Sequence, residues 1–259
     1  MIELLAPLLP LVAEALWTGF AVFMRVGAVM AVLPAFGDQP VPTRVRLMLA
    51  LMFTLIVAPG VGAGIGPLPD GFLAAGAALL PEVATGLFFG IFLRFFILSL
   101  QIAGSIAAQA TSLSQIFGGT AVVDPQPAIG HVLVVGGTAL AAMLGLHVQA
   151  AAYMLNSYAL VPFGAAFPAA LAAEVGTAEV ARTFAQGFTL AAPFLVASLI
   201  YNVTLGVINR AMPQLMVAFV GAPALTAGGL LLFFLAAPFM LGLWMEAFSA
   251  FMAAPFGDR

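Results

Sequence analysis

Several apolar runs in this chain approach or exceed the roughly 20 residues that a helix needs to cross the hydrocarbon core of a bilayer. Between Arg210 and Glu246 there is not one charged side chain. Only 7% of the 259 residues are charged and 64% are hydrophobic, against about 25% charged in an ordinary soluble domain. A water-facing surface cannot be made from so few charges. The chain is therefore an integral membrane protein or part of a membrane-derived assembly. The runs do not alternate with period two as barrel strands do, so the fold class is all-α: a hydrophobic multi-helix membrane-type protein with about six long segments.

The segments run from about Leu8 to Leu33, Arg44 to Pro59, Phe72 past Leu100, Ile129 to Leu155, Phe184 to Ile208, and Met216 to Phe248. Pro40 and Pro42 discourage a helix in the first connection, and "GVGAGIGPLPDG" punctuates the second. "LAAEVGTAEVARTFAQG" reads as a short amphipathic helix at the interface, ahead of the fifth segment. No repeat is visible, so residues 1–259 read as a single all-helical unit. The first residues, MIELLAPLLP, include Glu3 and lack a positive n-region, so the N-terminus is expected to run directly into the first helix rather than to carry a cleavable signal. Arg44, Arg46 and Arg210 fall in connections on one side, and Arg182 and Arg259 on the other. By the positive-inside rule this leans towards an N-terminus outside, too narrowly to decide it.

Composition also excludes chemistry. There is no cysteine, hence no disulfide, thiolate or Cys-based metal site. All seven basic residues are arginines, and none clusters as nucleic-acid binding requires. His131 and His147 match no metal motif and read as packing residues. Asp124 before Pro125 reads as a turn. No nucleophile motif, carboxylate pair or phosphate loop is present, so neither an enzyme nor a cofactor is expected. A small-solute secondary transporter is the rival, yet such folds show two related halves with interrupted helices, and none is detected.

Four charges stand inside apolar segments: Glu14 and Arg25 in the first, Glu82 and Arg94 in the third. The members of each pair are 11 or 12 positions apart, about 16–18 Å along a straight helix, and cannot neutralise one another there. A charge left at mid-bilayer costs at least about 2.5–3.5 kcal/mol. Either they snorkel to the interface, or each meets a partner on another helix or another subunit. Gly86 with Gly90, and Gly60 with Gly64, have the GxxxG spacing that lets membrane helices approach closely.

The stretch "QIAGSIAAQATSLSQIFGGTAVVDPQ" differs from its neighbours. At about 100° per residue, Gln101, Ser105, Gln109, Ser112 and Gln115 share one face, opposite Ile102, Ala103, Ile106, Ala107 and Ala110. Such a polar stripe suits a wet lumen or polar neighbouring helices rather than lipid. Behind it, "IFGGTAVVDP" supplies a bulky apolar pair, two residues free to take positive φ, and a turn.

The order of punctuation resembles a known family. "MRVGAVMAVLPAFGDQPVPTRVRLMLALM" carries Arg, Pro, Phe-Gly, Pro and Arg; "AGSIAAQ" precedes Asp-Pro; "LGLHVQAAAYMLNSYALVPFG" follows. The most specific stretch is "FAQGFTLAAPFLVASLIYNVTLGVINRAMPQLMVAFVGAP", with Ala191, Pro193, Asn202, Gly206, Arg210, Pro213, Gln214, Gly221 and Pro223 in the family's sequence of positions. Together these resemble the FliR family, flagellar biosynthetic proteins of the type III secretion export gate.

The resemblance implies a non-enzymatic channel subunit whose helical hairpins join a cone-like helical assembly. One copy would assemble with several copies of FliP and FliQ in the bacterial inner membrane, at the flagellar basal body. The larger export-apparatus membrane protein, basal-body components and membrane lipids would be its neighbours, and exported flagellar proteins its substrates. Its helices need not cross the bilayer as hydropathy suggests. The family likeness further implies a pore plug formed by Ile116, Phe117, Gly118, Gly119, Thr120, Ala121, Val122 and Val123, and subunit contacts at Glu14, Arg25, Glu82, Arg94, Arg210, Pro213 and Gln214. A homologous subunit of the virulence-type injectisome is the alternative system.

Overall fold

An apolar run in hydrocarbon must satisfy its backbone N–H and C=O groups within itself, and this chain does so with helices. The computed structural model describes residues 8–37, 41–111, 127–212 and 217–255. Among the described residues there are seven α-helices and no strand: α1 Leu8–Val32, α2 Thr43–Val61, α3 Phe72–Ala110, α4 Ala128–Met143, α5 Leu146–Leu160, α6 Ala169–Ala211 and α7 Val217–Ala253. A 3-10 turn, Gly62–Gly64, follows α2. Five helices are long and apolar enough to cross a membrane, or six if α4 and α5 count as one broken span.

The segments expected from hydropathy are present, with two corrections. The run from Ile129 to Leu155 is not one helix, because Gly145 separates α4 from α5 with a φ of +83°. That backbone is open to glycine at no steric cost, and the Gly145 carbonyl starts α5 by accepting from Val148 and Gln149 N–H. The amphipathic interfacial helix is not a separate element either. It is the first part of α6, which runs 43 residues from Ala169 to Ala211. No proline stands between Pro168 and Pro193, so nothing ends the helix near Phe184. Arg182 therefore lies within a helix rather than in a connection, and the arginine balance that bore on orientation loses a member. His131 and His147 are both exposed, so neither fills the packing role expected of it.

The described residues pack as two compact units. The first comprises Met1–Arg94, Leu144–Thr177 and Ser249–Arg259. Its core holds Val22, Val26, Leu33, Phe89, Leu93 and Phe251, all nearly solvent-free. Buried Tyr153 on α5 donates its hydroxyl to Phe89 O on α3 at 2.9 Å. The expected glycine seam is real: a Cβ added at Gly86 would lie 2.4 Å from Arg25 O, and one at Gly90 would lie 3.3 Å from Val29 Cα. α3 thus lays Gly86 and Gly90 directly on the backbone of α1. The Gly60 and Gly64 pair is less demanding, since Gly60 faces only the flexible end of Leu155 and Gly64 faces open space.

The second unit comprises Phe95–Met143 and Ala178–Phe248. Trp244 on α7 stacks on Phe248 at 5.1 Å and donates its indole N–H to Phe96 O at 2.8 Å. Gly104 of α3 meets Gly130 of α4 so closely that a Cβ there would fall 2.1 Å from Gly130 Cα. α6 buries Gly187, Leu190, Ala191 and Phe194, but no residue from Leu195 to Ala211 is buried.

Gly86 and Gly76 test the seam as a pair. Gly86→Ala is expected to destabilise the chain by about 1–3 kcal/mol, since backbone opposes the added methyl. Gly76→Ala, with nothing within 4 Å, is expected to be neutral or to stabilise by up to about 1 kcal/mol. Thermal unfolding in detergent, followed by circular dichroism, checks both.

Candidate functional site

The first unit is organised round two charges from different helices. Glu82 lies one turn before Gly86 on the same face of α3, and Gly86 touches the backbone of α1 at Arg25. The glycine contact therefore brings the carboxylate and the guanidinium to the same level. Arg25 Nε donates to Glu82 Oε2 at 2.8 Å and Nη2 to Oε1 at 3.0 Å, a fork-to-fork pair. Arg25 is 1% exposed and Glu82 0%, so solvent screens little of their attraction.

The guanidinium does more than neutralise the acid. Its Nη1 donates to Ser157 O at 3.1 Å and to Val161 O at 2.8 Å. These carbonyls belong to the last turn of α5 and its C-cap, where a helix carries partial negative charge, and Ser157 O accepts the Val161 N–H as well. Arg25 thus caps α5 from outside. The Tyr158 ring lies 3.8 Å beneath the guanidinium carbon, a cation–π contact. On the other side, Glu82 Oε1 accepts the Gly164 N–H at 2.9 Å, and Gly164 holds a φ of +72°.

Aromatic rings pin the connection between α5 and α6 on either side of Gly164. Phe163 meets Trp17 edge to face at 6.4 Å, and Phe167 lies 4.6 Å from Phe88. Trp17 in turn donates its indole N–H to Gly66 O at 3.0 Å. One charge pair therefore joins α1 and α3 to the end of α5 and the loop behind it.

Of the alternatives open to a charge in an apolar segment, Arg25 and Glu82 realise the partner on another helix. They meet each other on neighbouring helices of one chain and leave little surface for a second. Of the other expected contacts, Glu14 is exposed, Arg94 is half-buried, and Arg210 is exposed in the last turn of α6. In the stripe, Gln101 and Ser105 are half-buried and Gln109 is exposed, while Ala103 and Ala107 turn inward. Ser112 and Gln115, the plug residues Ile116 to Val123, and Pro213 and Gln214 lie outside the described residues. A further ion pair was not foreseen: Glu179, buried in the second unit, pairs with Arg182 one turn later on α6.

Ser157, Val161 and Gly164 enter the charge centre through backbone atoms, which leave no mark of side-chain type. Only the Gly in "VPFG" hints that the loop needs a special backbone. No group of three or more potential metal ligands occurs among the described residues.

A chain whose described residues are helical and strand-free, with long apolar helices and an internally satisfied ion pair, is a membrane-embedded helical protein. Residues 16–251 match the family model of "Bacterial export proteins, family 1". The chain is 36% identical over 228 residues to the flagellar biosynthetic protein FliR of Caulobacter vibrioides, covering 88% of this chain and 91% of that protein. It is 27% identical over 235 residues to FliR of Escherichia coli K12, with 87% and 88% covered, and 26% identical over 217 residues to FliR of Aquifex aeolicus, with 83% of each. The chain belongs to this bacterial export family, a family of export-apparatus components, as a membrane-embedded component of flagellar protein export.

Removing one partner of the charge pair is expected to cost about 3–5 kcal/mol, because the other charge stays buried and unpaired. Arg25→Met should lose more than Tyr153→Phe, which deletes one hydrogen bond worth about 0.5–1.5 kcal/mol. Arg25→Met with Glu82→Leu should recover part of the single-variant loss. Unfolding midpoints of the single and double variants, read as a mutant cycle, check the coupling.

Proposed function

We propose that this chain is the channel subunit of the flagellar type III export gate, acting as one all-helical subunit. One copy assembles with FliP and FliQ in the bacterial inner membrane at the basal body, and together they form the pore for unfolded flagellar proteins. The observation that carries this reading is the family match across residues 16–251, together with relatives named FliR that align over most of their own length. Those names favour the flagellar system over the injectisome.

The exposed apolar surface supports assembly. α3, α6 and α7 have 39, 43 and 37 residues, about 55–65 Å each at 1.5 Å per residue. The hydrocarbon core is only about 30 Å thick. Leu195, Val196, Leu199, Ile200, Val203 and Val207 are all exposed on α6. Helices of that length carry more apolar surface than one bilayer crossing can cover, and partner helices would take up the rest.

On this reading Glu14, Arg94, Arg210, Pro213 and Gln214 contribute to subunit contacts. The stripe from Gln101 to Gln115 faces the wet path or polar partner helices. Ile116 to Val123 occludes the resting pore, with Gly118 and Gly119 letting the segment move aside.

Two measurements test it. Co-expression with FliP and FliQ should yield one stable hetero-oligomer; a chain that purifies only alone would count against the gate. Deleting Phe117 to Val122 should leave assembly intact and make the closed channel leak ions, measured as conductance in planar bilayers. An assembled deletion with unchanged conductance would refute the plug.

A further inference from the structure

A groove of about 370 Å³ opens between α1, α2 and α3 in the first unit. Met24, Ala28, Met30, Leu47 and Leu87 give it apolar walls, and its polar side chains are Thr43 and Arg46, both in the first turn of α2. Gly27 keeps it open: a Cβ there would meet only the Phe23 ring, at 3.6 Å. Arg46 is half-buried, and hydrogen bonds from Nε to Val41 O at 3.1 Å and from Nη1 to Gly37 O at 3.4 Å hold it in place. Arg44 is exposed in the same turn. Arg46 thus stands at the polar end of an apolar groove, while Arg44, two positions earlier on the helix and so on another face, adds a second positive charge at the same level without lining it.

Each half of this feature asks for a different part of one ligand. The apolar walls give a soluble anion nothing to bind, and a neutral hydrocarbon has no use for an arginine. We propose that the groove holds an acyl chain of an anionic phospholipid, with the phosphate of its headgroup at Arg46 and the exposed Arg44 adding positive charge at the same level. α2 begins at that point, so the arginines lie where a membrane helix meets the headgroups, and basic pockets between such helices favour anionic lipids. This site shares no residue with the proposed pore and does not depend on the partner-subunit reading.

Native mass spectrometry of the full chain in detergent tests the proposal, with phosphatidylglycerol and phosphatidylcholine of identical acyl chains as probes. The unaltered chain is expected to retain phosphatidylglycerol about tenfold better or more. Arg44→Gln with Arg46→Gln should erase that preference. Gly27→Leu, which fills the groove, should lower retention of both lipids. Millimolar inorganic phosphate should displace neither. Equal retention of the two lipids by the unaltered chain overturns the proposal without reliance on any variant. Displacement by inorganic phosphate overturns it too, since the ligand would then be a free anion, as would full phosphatidylglycerol retention in both folded variants.

Discussion

A guanidinium and a carboxylate, shielded from solvent, set the geometry of the first unit. Arg25 and Glu82 satisfy one another in a two-point contact, and each has hydrogen-bonding capacity left for backbone: the carbonyls ending α5 on one side, the Gly164 amide on the other. In an apolar surrounding, where an unpaired polar group is costly, such a centre accepts few alternative packings. Apolar contacts alone tolerate a slide of one helix along another. Here a slide would strand a charge and open the helix cap. The centre supplies register to a chain whose other contacts are mostly non-directional.

Much of the fold was legible because hydrocarbon leaves so few options. Long uncharged runs had to be helices, and the Gly86 and Gly90 spacing announced a close crossing that α1 fills. The break at Gly145 was not legible, since the flanking residues are as apolar as any helix interior and only the backbone angle marks the turn. The continuity of α6 was missed for the opposite reason: its charged first part looked like an interface, yet composition alone does not stop a helix.

The charge centre was half visible. Arg25 and Glu82 stood out as charges that needed partners, and the distance along each helix ruled out Glu14 and Arg94, but the residues did not say which other helix would supply them. Pairing across helices depends on which helices touch, and the glycine seam decides that. Ser157, Val161 and Gly164 were invisible because they act through main-chain atoms. Gln101, Ser105 and Gln109 lie on α3, where Ala103 and Ala107 are buried, while Ser112 and Gln115 lie outside the described residues.

The order in which these groups emerge during synthesis matters as well. Arg25 belongs to α1, whereas Glu82 comes 57 residues later and the Ser157 and Val161 carbonyls 132 and 136 residues later. Until then the cation lacks the partners it has in the finished fold, at a cost of at least about 2.5–3.5 kcal/mol if it sits unpaired at mid-bilayer. α1 is therefore poorly suited to settle alone in lipid. It favours waiting beside an insertion factor, or near the headgroups, until α3 arrives with its acid. The pair that fixes the finished packing thus also sets a schedule for getting there.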